Sequence, residues 1–444
     1  MTVKKSLLLL VLALAGILSA FPQDVRIEFE EYDLPNGLHV ILSPDHTTPM
    51  VAVTLMYHVG SKNEDPERTG FAHFFEHLMF EGTRNIPRGE YSRFVENAGG
   101  TLNASTSNDR TYYYELLPSN QLALGLWLES ERMLHLKVDS TGIETQRGVV
   151  KEEKKQTMDN TPYGTFLYEM MRRAFTRSPY RWVVIGSVEH LNAATYDEFR
   201  KFYETYYVPN NAVLTLVGDF EPDSARILIE QYFGNIPRGE YPIERPDMSE
   251  PQQTEEIRDT IYDNIQLPAI FQGYHIPASG SHDAYAVEMM NQLLSSGQSS
   301  RLYKSIVDQK QLALQIAAIP LPFEGPGLSI ILAIPNMGVD PAELEQAIDE
   351  EINRLKTELI TEREYEKLRN QIENNMVSSN ATMASRAHNL ATYYTYYGNT
   401  GLINTEIEKY MAVSREDIRR VAQEYFNPEN RVVLYYLPGK KENQ

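Results

Sequence analysis

Three side chains in the stretch GFAHFFEHLMFEGT, residues 70 to 83, have the types and spacing to do chemistry together: His73, Glu76 and His77. On a helix, positions i, i+3 and i+4 share one side. Two imidazoles one turn apart would then face a single metal ion, with a carboxylate between them placed to take a proton from a water molecule. The Phe, Leu and Met residues of the same stretch make its other sides apolar. A helix apolar over most of its surface is buried, and buried imidazoles and carboxylates are costly unless something satisfies them. The bland alternative is a pair of core histidines bonded to backbone groups. The metal reading needs more, because a catalytic zinc takes three protein ligands.

The third must come from elsewhere in the chain. The segment TGIETQRGVVKEEKKQTMDNTPYG, residues 141 to 164, reads as a helix ending before Pro162, and it offers Glu144, Glu152 and Glu153. On a regular helix Gln146, Val149, Val150 and Thr157 lie within about 60° of Glu153, while Arg147, Lys151, Lys154 and Lys155 point away. Glu153 therefore falls on the stripe expected to be buried. Glu152 sits about 100° off that stripe, as a solvated charge would. The chain has no Cys, which excludes thiolate ligands, a Cys nucleophile and disulfides.

The elements that position these residues are expected to be doubled. At 444 residues the chain exceeds what one core normally supports. Its 42% hydrophobic and 23% charged residues read as globular, and a formal net charge of -20 excludes a nucleic-acid binder. TYDEFRKFYETYYVPNNAVLTLVGDF, from Thr195, lines up with SREDIRRVAQEYFNPENRVVLYYLPG, from Ser414. Each opens with a helix cap, Thr195 with Glu198 and Ser414 with Asp417, then passes a Pro-Asn turn into a β-rich run. The aligned second half places Glu288, Asn291 and Gln292 where His73, Glu76 and His77 stand, so one half carries the chemistry. The Pro- and Glu-rich residues 235–256 mark the border. The expected organisation is an export signal over 1–20, a catalytic half over 21–245 and a homologous non-metal half over 246–444. The fold class is α+β, each half an antiparallel sheet with helices packed on one face. Lys4 and Lys5 before an apolar run too short to span a bilayer, then Ser19 and Ala20, give the export signal. Export without disulfides points to a bacterial periplasm or cell surface, with no stable membrane span.

With these motifs assembled, the sequence resembles the pitrilysin, insulysin and mitochondrial processing peptidase family of zinc endopeptidases. HFFEH has that family's inverted order of the zinc-protease helix, and Glu153 lies 76 positions after His77, where the third ligand is expected. The resemblance implies zinc held by His73, His77 and Glu153, with Glu76 as general base. It implies a residue assisting the ligands at Gln146, where the family has Glu, and substrate contacts at Asn103 and Ala104 on an edge strand that pairs with a peptide. It implies a doubled domain forming half of a chamber that encloses peptide substrates. Active single-chain members carry an Arg and a Tyr seven residues apart in a second-half segment, reaching towards the substrate carbonyl. Here those positions are Val307 and Leu314, unless a shifted alignment recruits Arg301 or Tyr303. The expectation is therefore a zinc-bearing subunit whose homologous partner supplies the Arg and Tyr. The rival is a binding or scaffold subunit without turnover. The remaining histidines, 39, 46, 58, 135, 190, 275, 282 and 388, lack ligand spacing and read as structural. The Tyr-rich run from Tyr393 to Asn399 reads as core packing ending at Gly398.

Overall fold

The computed structural model describes residues 26–439, and its strands fall into two sheets. The six-stranded sheet contains β1 (Glu30–Asp33), β2 (His39–Pro44), β3 (Met50–Tyr57), β4 (Thr101–Thr106), β5 (Thr111–Pro118) and β6 (Ala212–Gly218), in the order β1-β2-β6-β3-β5-β4. The five-stranded sheet contains β7 (Ile257–Asp263), β8 (Ala269–Ile276), β9 (Ala313–Leu321), β10 (Gly327–Pro335) and β11 (Arg431–Pro438), in the order β7-β11-β8-β10-β9. The fold is α+β, as expected. Both sheets are antiparallel apart from one pair each, β2 with β6 and β7 with β11. The export-signal residues 1–20 lie outside the described residues. No helix among the described residues is long and apolar enough to cross a membrane.

The predicted repeat is visible element by element. Thr195 and Ser414 close reciprocal capping boxes with Glu198 and Asp417 at the starts of helices Tyr196–Tyr206 and Arg415–Tyr425. Each helix leads into a short 3-10 turn opened by Pro209 or Pro428, where the fixed proline φ suits a first helical position. Each turn delivers its strand, β6 or β11, between one parallel and one antiparallel neighbour. Residues 234–256 hold no helix or strand.

Helices of its own half cover one face of each sheet, and the opposite face is covered by the other half. Helix Phe166–Ala174 lies on the second sheet: Met170, Met171 and Ala174 share a buried cluster with Phe271, Leu328 and Leu434. Phe166 stacks on Phe271 with ring centroids 4.8 Å apart. In return, helix Met383–Tyr397 lies on the first sheet, with Ala387, Leu390 and Ala391 against Ile41, Met56 and Val217. A sheet must bury its apolar face against another layer, so this exchange ties the halves together. Tyr393 and Tyr394 pack in the same cluster, and Gly398 ends their helix in the left-handed region at φ 59°.

Candidate metal centre

The helix that carries the histidines, Phe71–Leu78, starts from Gly70 in the left-handed conformation, φ 98°. A Cβ there would stand 2.9 Å from the Ile185 carbonyl oxygen, so only glycine fits. Gly70 has no side chain to cap the helix, and Glu64 does it instead, accepting the backbone N–H groups of Gly70 and Ala72 at 2.8 Å each. Burial pushes the Glu64 carboxyl up to about 8, against the opposing pull of those hydrogen bonds. The apolar sides are spent on aromatic packing: Phe71 and Phe74 lie 4.5 and 4.6 Å from Phe199, centroid to centroid, and Phe75 5.7 Å from Phe202. That leaves the remaining side, with His73 and His77, to face helix Ser140–Lys154.

There the three predicted ligands meet. His73 Nε2 lies 3.5 Å from Glu153 Oε1, and His77 Nε2 lies 3.2 Å from Glu153 Oε2. Their ligating atoms all fall within 4.8 Å of one another, and the two imidazole rings stand 4.8 Å apart at 78°. The side chains of His73, His77 and Glu153 are 12%, 25% and 35% exposed, so the cluster is partly buried and borders solvent. Burial holds the His77 imidazole below its ordinary value, aided by His73 and opposed by Glu153 and Glu76. The neutral ring this favours is the form that ligates a metal. Hydrogen bonding from His73 holds the Glu153 carboxyl below its usual range, against partial burial, and His77 adds to the effect. Two imidazoles and a carboxylate converging on one point fit the donor set of a catalytic zinc.

Glu152 is exposed and engages Gln156 and Lys155 instead. The predicted stripe is right about Gln146 and Val150, which are buried, and wrong about Val149 and Thr157, which are exposed. The buried arc is centred on Ile143, Gln146 and Val150, with Glu153 at its edge where the helix overhangs the site. Past Lys154 the winding changes to a π-turn, Lys155–Asp159, which shifts Thr157 out of phase.

Glu76 accepts a 2.6 Å hydrogen bond from Thr106 Oγ1, a partner that no sequence motif marks. Thr106 closes β4, the edge strand of the first sheet, on which Asn103 and Ala104 also lie. β4 pairs with β5 on one side and leaves its other edge open among the described residues. The structure gives Gln146 another partner: its amide donates to Glu81, and its Oε1 is buried with no hydrogen-bond partner. It therefore makes no hydrogen bond to His73, His77 or Glu153.

In the second half, the counterpart residues are absorbed locally. Glu288 accepts from Tyr410 at 2.6 Å, and Asn291 accepts from Ser329 at 2.6 Å. Val307 packs against the second core, and Leu314 stands exposed on the edge strand β9. Arg301 is held by Glu364 through two hydrogen bonds of 2.8 and 3.0 Å, within its own half. Other histidines serve packing and hydrogen bonds, as with His39 stacked on Tyr394 at 3.3 Å and His58 beside Glu324 at 2.8 Å.

Comparison with known proteins identifies the class. Residues 39–180 match the family model described as "Insulinase (Peptidase family M16)", and residues 193–372 match "Peptidase M16 inactive domain". The chain is 30% identical over 423 residues to the zinc protease PqqE of Helicobacter pylori, covering 95% of each. The chain belongs to the M16 peptidase family. The crystal structure of a protease from Helicobacter pylori superposes with a TM-score of 0.89 at 29% identity, covering 93% of this chain and 99% of that one. The periplasmic protease PqqL of Escherichia coli shares the M16 fold at a TM-score of 0.73 and 19% identity, with 95% of this chain covering 48% of that one.

Proposed function

We propose that this chain is the zinc-bearing subunit of an exported endopeptidase that hydrolyses peptides or short unfolded segments. The observation that carries the reading is the convergence of His73, His77 and Glu153, on two facing helices, beside an open sheet edge. A zinc ion held there would make a water more acidic and polarise the scissile carbonyl. Glu76, steadied by Thr106, takes a proton from the attacking water and delivers it to the leaving amine. The substrate backbone adds to the free edge of β4 with its scissile bond near Asn103 and Ala104, an attachment that depends little on sequence. The two halves then form half of a chamber around the peptide. The test is hydrolysis of unstructured peptides by the purified chain: turnover should vanish on chelation and return with zinc. Turnover that is indifferent to chelator would overturn the reading.

The ligand assignment has its own expected outcome. Glu153→Gln should weaken zinc binding at least tenfold, while Glu152→Gln, which alters a solvated carboxylate, should leave it unchanged. Metal content after dialysis against a competing chelator measures both, and equal losses would mean the wrong carboxylate has been chosen.

A homologous second subunit completes the enzyme in this reading. Neither Val307 nor Leu314 donates a hydrogen bond, and one missing oxyanion donor costs roughly 100-fold or more in rate. The match to only 48% of PqqL agrees with a single-chain enzyme twice this size being here divided between two chains. The isolated chain is expected to turn over slowly and to gain roughly 100-fold when a homologue bearing the Arg and Tyr is added. Equal rates with and without that homologue would rule it out. Export rests on the basic and apolar residues at the start of the chain.

A further inference from the structure

The second half carries a pocket at the place that corresponds to the candidate metal centre. Helix His282–Ser295 follows β8 as the metal helix follows β3, and helix Glu362–Ser379 follows β10 and one intervening helix as Ser140–Lys154 follows β5. Between these two helices lies a cavity of about 270 Å³, lined by Gln292, the counterpart of His77, and by Arg301, Lys304, Arg363, Glu364 and Lys367. Four cations share it with one carboxylate, in a chain whose formal net charge is -20.

That carboxylate is already fully engaged. Glu364 accepts both hydrogen bonds from Arg301 and also closes the capping box with Thr361, through its backbone N–H at 2.8 Å and its hydroxyl at 2.9 Å. Lys304 and Arg363 have no carboxylate partner among the described residues. Lys367 draws its ammonium back to the Ser299 hydroxyl, at 2.5 Å. Arg301 is only 11% exposed, and its Nη1 is buried with no acceptor. A buried guanidinium N–H without an acceptor is costly, and three further cations within one small pocket repel one another. An anion in the pocket would relieve that repulsion. Its charge should exceed one, because a lone carboxylate would leave most of the excess in place. A phosphate dianion also offers oxygens in the geometry that Arg reads with paired donors.

We propose that this pocket binds a phosphate group, free or carried on a small ester. The proposal stands apart from whether the first half cleaves peptides. Where the first half gathers donors for a cation, the second half gathers donors for an anion, Arg363 and Lys367 from helix Glu362–Ser379 and Arg301 and Lys304 from the segment between the two helices.

Calorimetric titration of the full chain with inorganic phosphate and with glycerol phosphate, at constant ionic strength in chloride, tests it. Saturable binding is expected. The double variant Lys304→Ala/Arg363→Ala removes two exposed, unpaired side chains and should weaken binding at least tenfold with an unchanged melting temperature in phosphate-free buffer. Ser299→Asp, which sets a carboxylate against Lys367, should weaken it comparably. Tighter binding of glycerol phosphate would assign the pocket to an ester, and equal or weaker binding to free phosphate. Glu153→Gln should leave the titration unchanged. Binding lost in Glu153→Gln but kept in the double variant, or no saturation below about 10 mM, would overturn the assignment.

Discussion

Replacing Glu76 with Gln should lower kcat roughly 10²- to 10⁴-fold while leaving bound metal in place. Glutamine keeps the length and shape of the side chain and can still accept the hydrogen bond that Thr106 Oγ1 gives at 2.6 Å. What it cannot do is hold a proton between water and leaving amine. Zinc affinity should be untouched, because the converging donors are His73, His77 and Glu153. Metal content and kcat measured on one preparation separate the two roles. Loss of zinc together with activity would make Glu76 a ligand, and retained activity would remove it from the chemistry. The Thr106 contact adds a graded check, since Thr106→Val should reduce kcat far less than Glu76→Gln while keeping the side chain's volume.

The contrast between Glu76 and its supports shows what a sequence carries and what it does not. The i, i+3, i+4 spacing lies within one helical turn, so His73, Glu76 and His77 were legible from local geometry alone. Glu153 was legible because helix phase relates it to Gln146 and Val150, although the phase argument misjudged Val149 and Thr157 where the helix overhangs the site and then unwinds into a π-turn. The capping boxes at Thr195 and Ser414 were legible for the same local reason, and they exposed the repeat. Glu64 and Thr106 were not. Each acts on the metal helix from a separate loop or strand, and no periodicity links them to it. The reciprocal covering by helices Phe166–Ala174 and Met383–Tyr397 was hidden too: an apolar helix face announces burial but not the surface that buries it. The parallel pairings of β2 with β6 and β7 with β11 join strands far apart in sequence, where register follows from the assembled sheet.

Arg132→Met should cost the fold about 3–5 kcal/mol. The Arg132 guanidinium is fully buried beneath the metal helix among the rings of Tyr113, Tyr91 and Phe80, at 4.4, 4.5 and 5.0 Å. Its Nε donates to the Tyr91 hydroxyl at 2.9 Å and lies 3.2 Å from Glu129, and Nη2 donates to Glu115 at 3.3 Å. Glu115 and Glu129 are both fully buried, and burial raises both carboxyls above their ordinary value. One guanidinium balances one carboxylate, so the pair shares a proton. Without Arg132 both carboxyls must be protonated to stay inside. A folded-state value raised above the unfolded one gives stability that is full below the unfolded value and is lost as pH rises through the folded value. Relative to wild type, where one of the two carboxyls is already neutral, the variant must keep one further carboxyl protonated, so it should be nearest to wild type around pH 4.5 and fall away by about 1.4 kcal/mol per pH unit as pH rises. Because Tyr113 donates its hydroxyl to the Phe75 carbonyl of the metal helix at 3.3 Å, zinc affinity should decline along with stability. Urea unfolding at pH 5 and pH 7.5 decides it. Adding Glu115→Gln and Glu129→Gln to Arg132→Met should recover most of the loss and remove its pH dependence. A variant equally stable at both pH values would show that the two carboxyls reach water or another cation once Arg132 is gone.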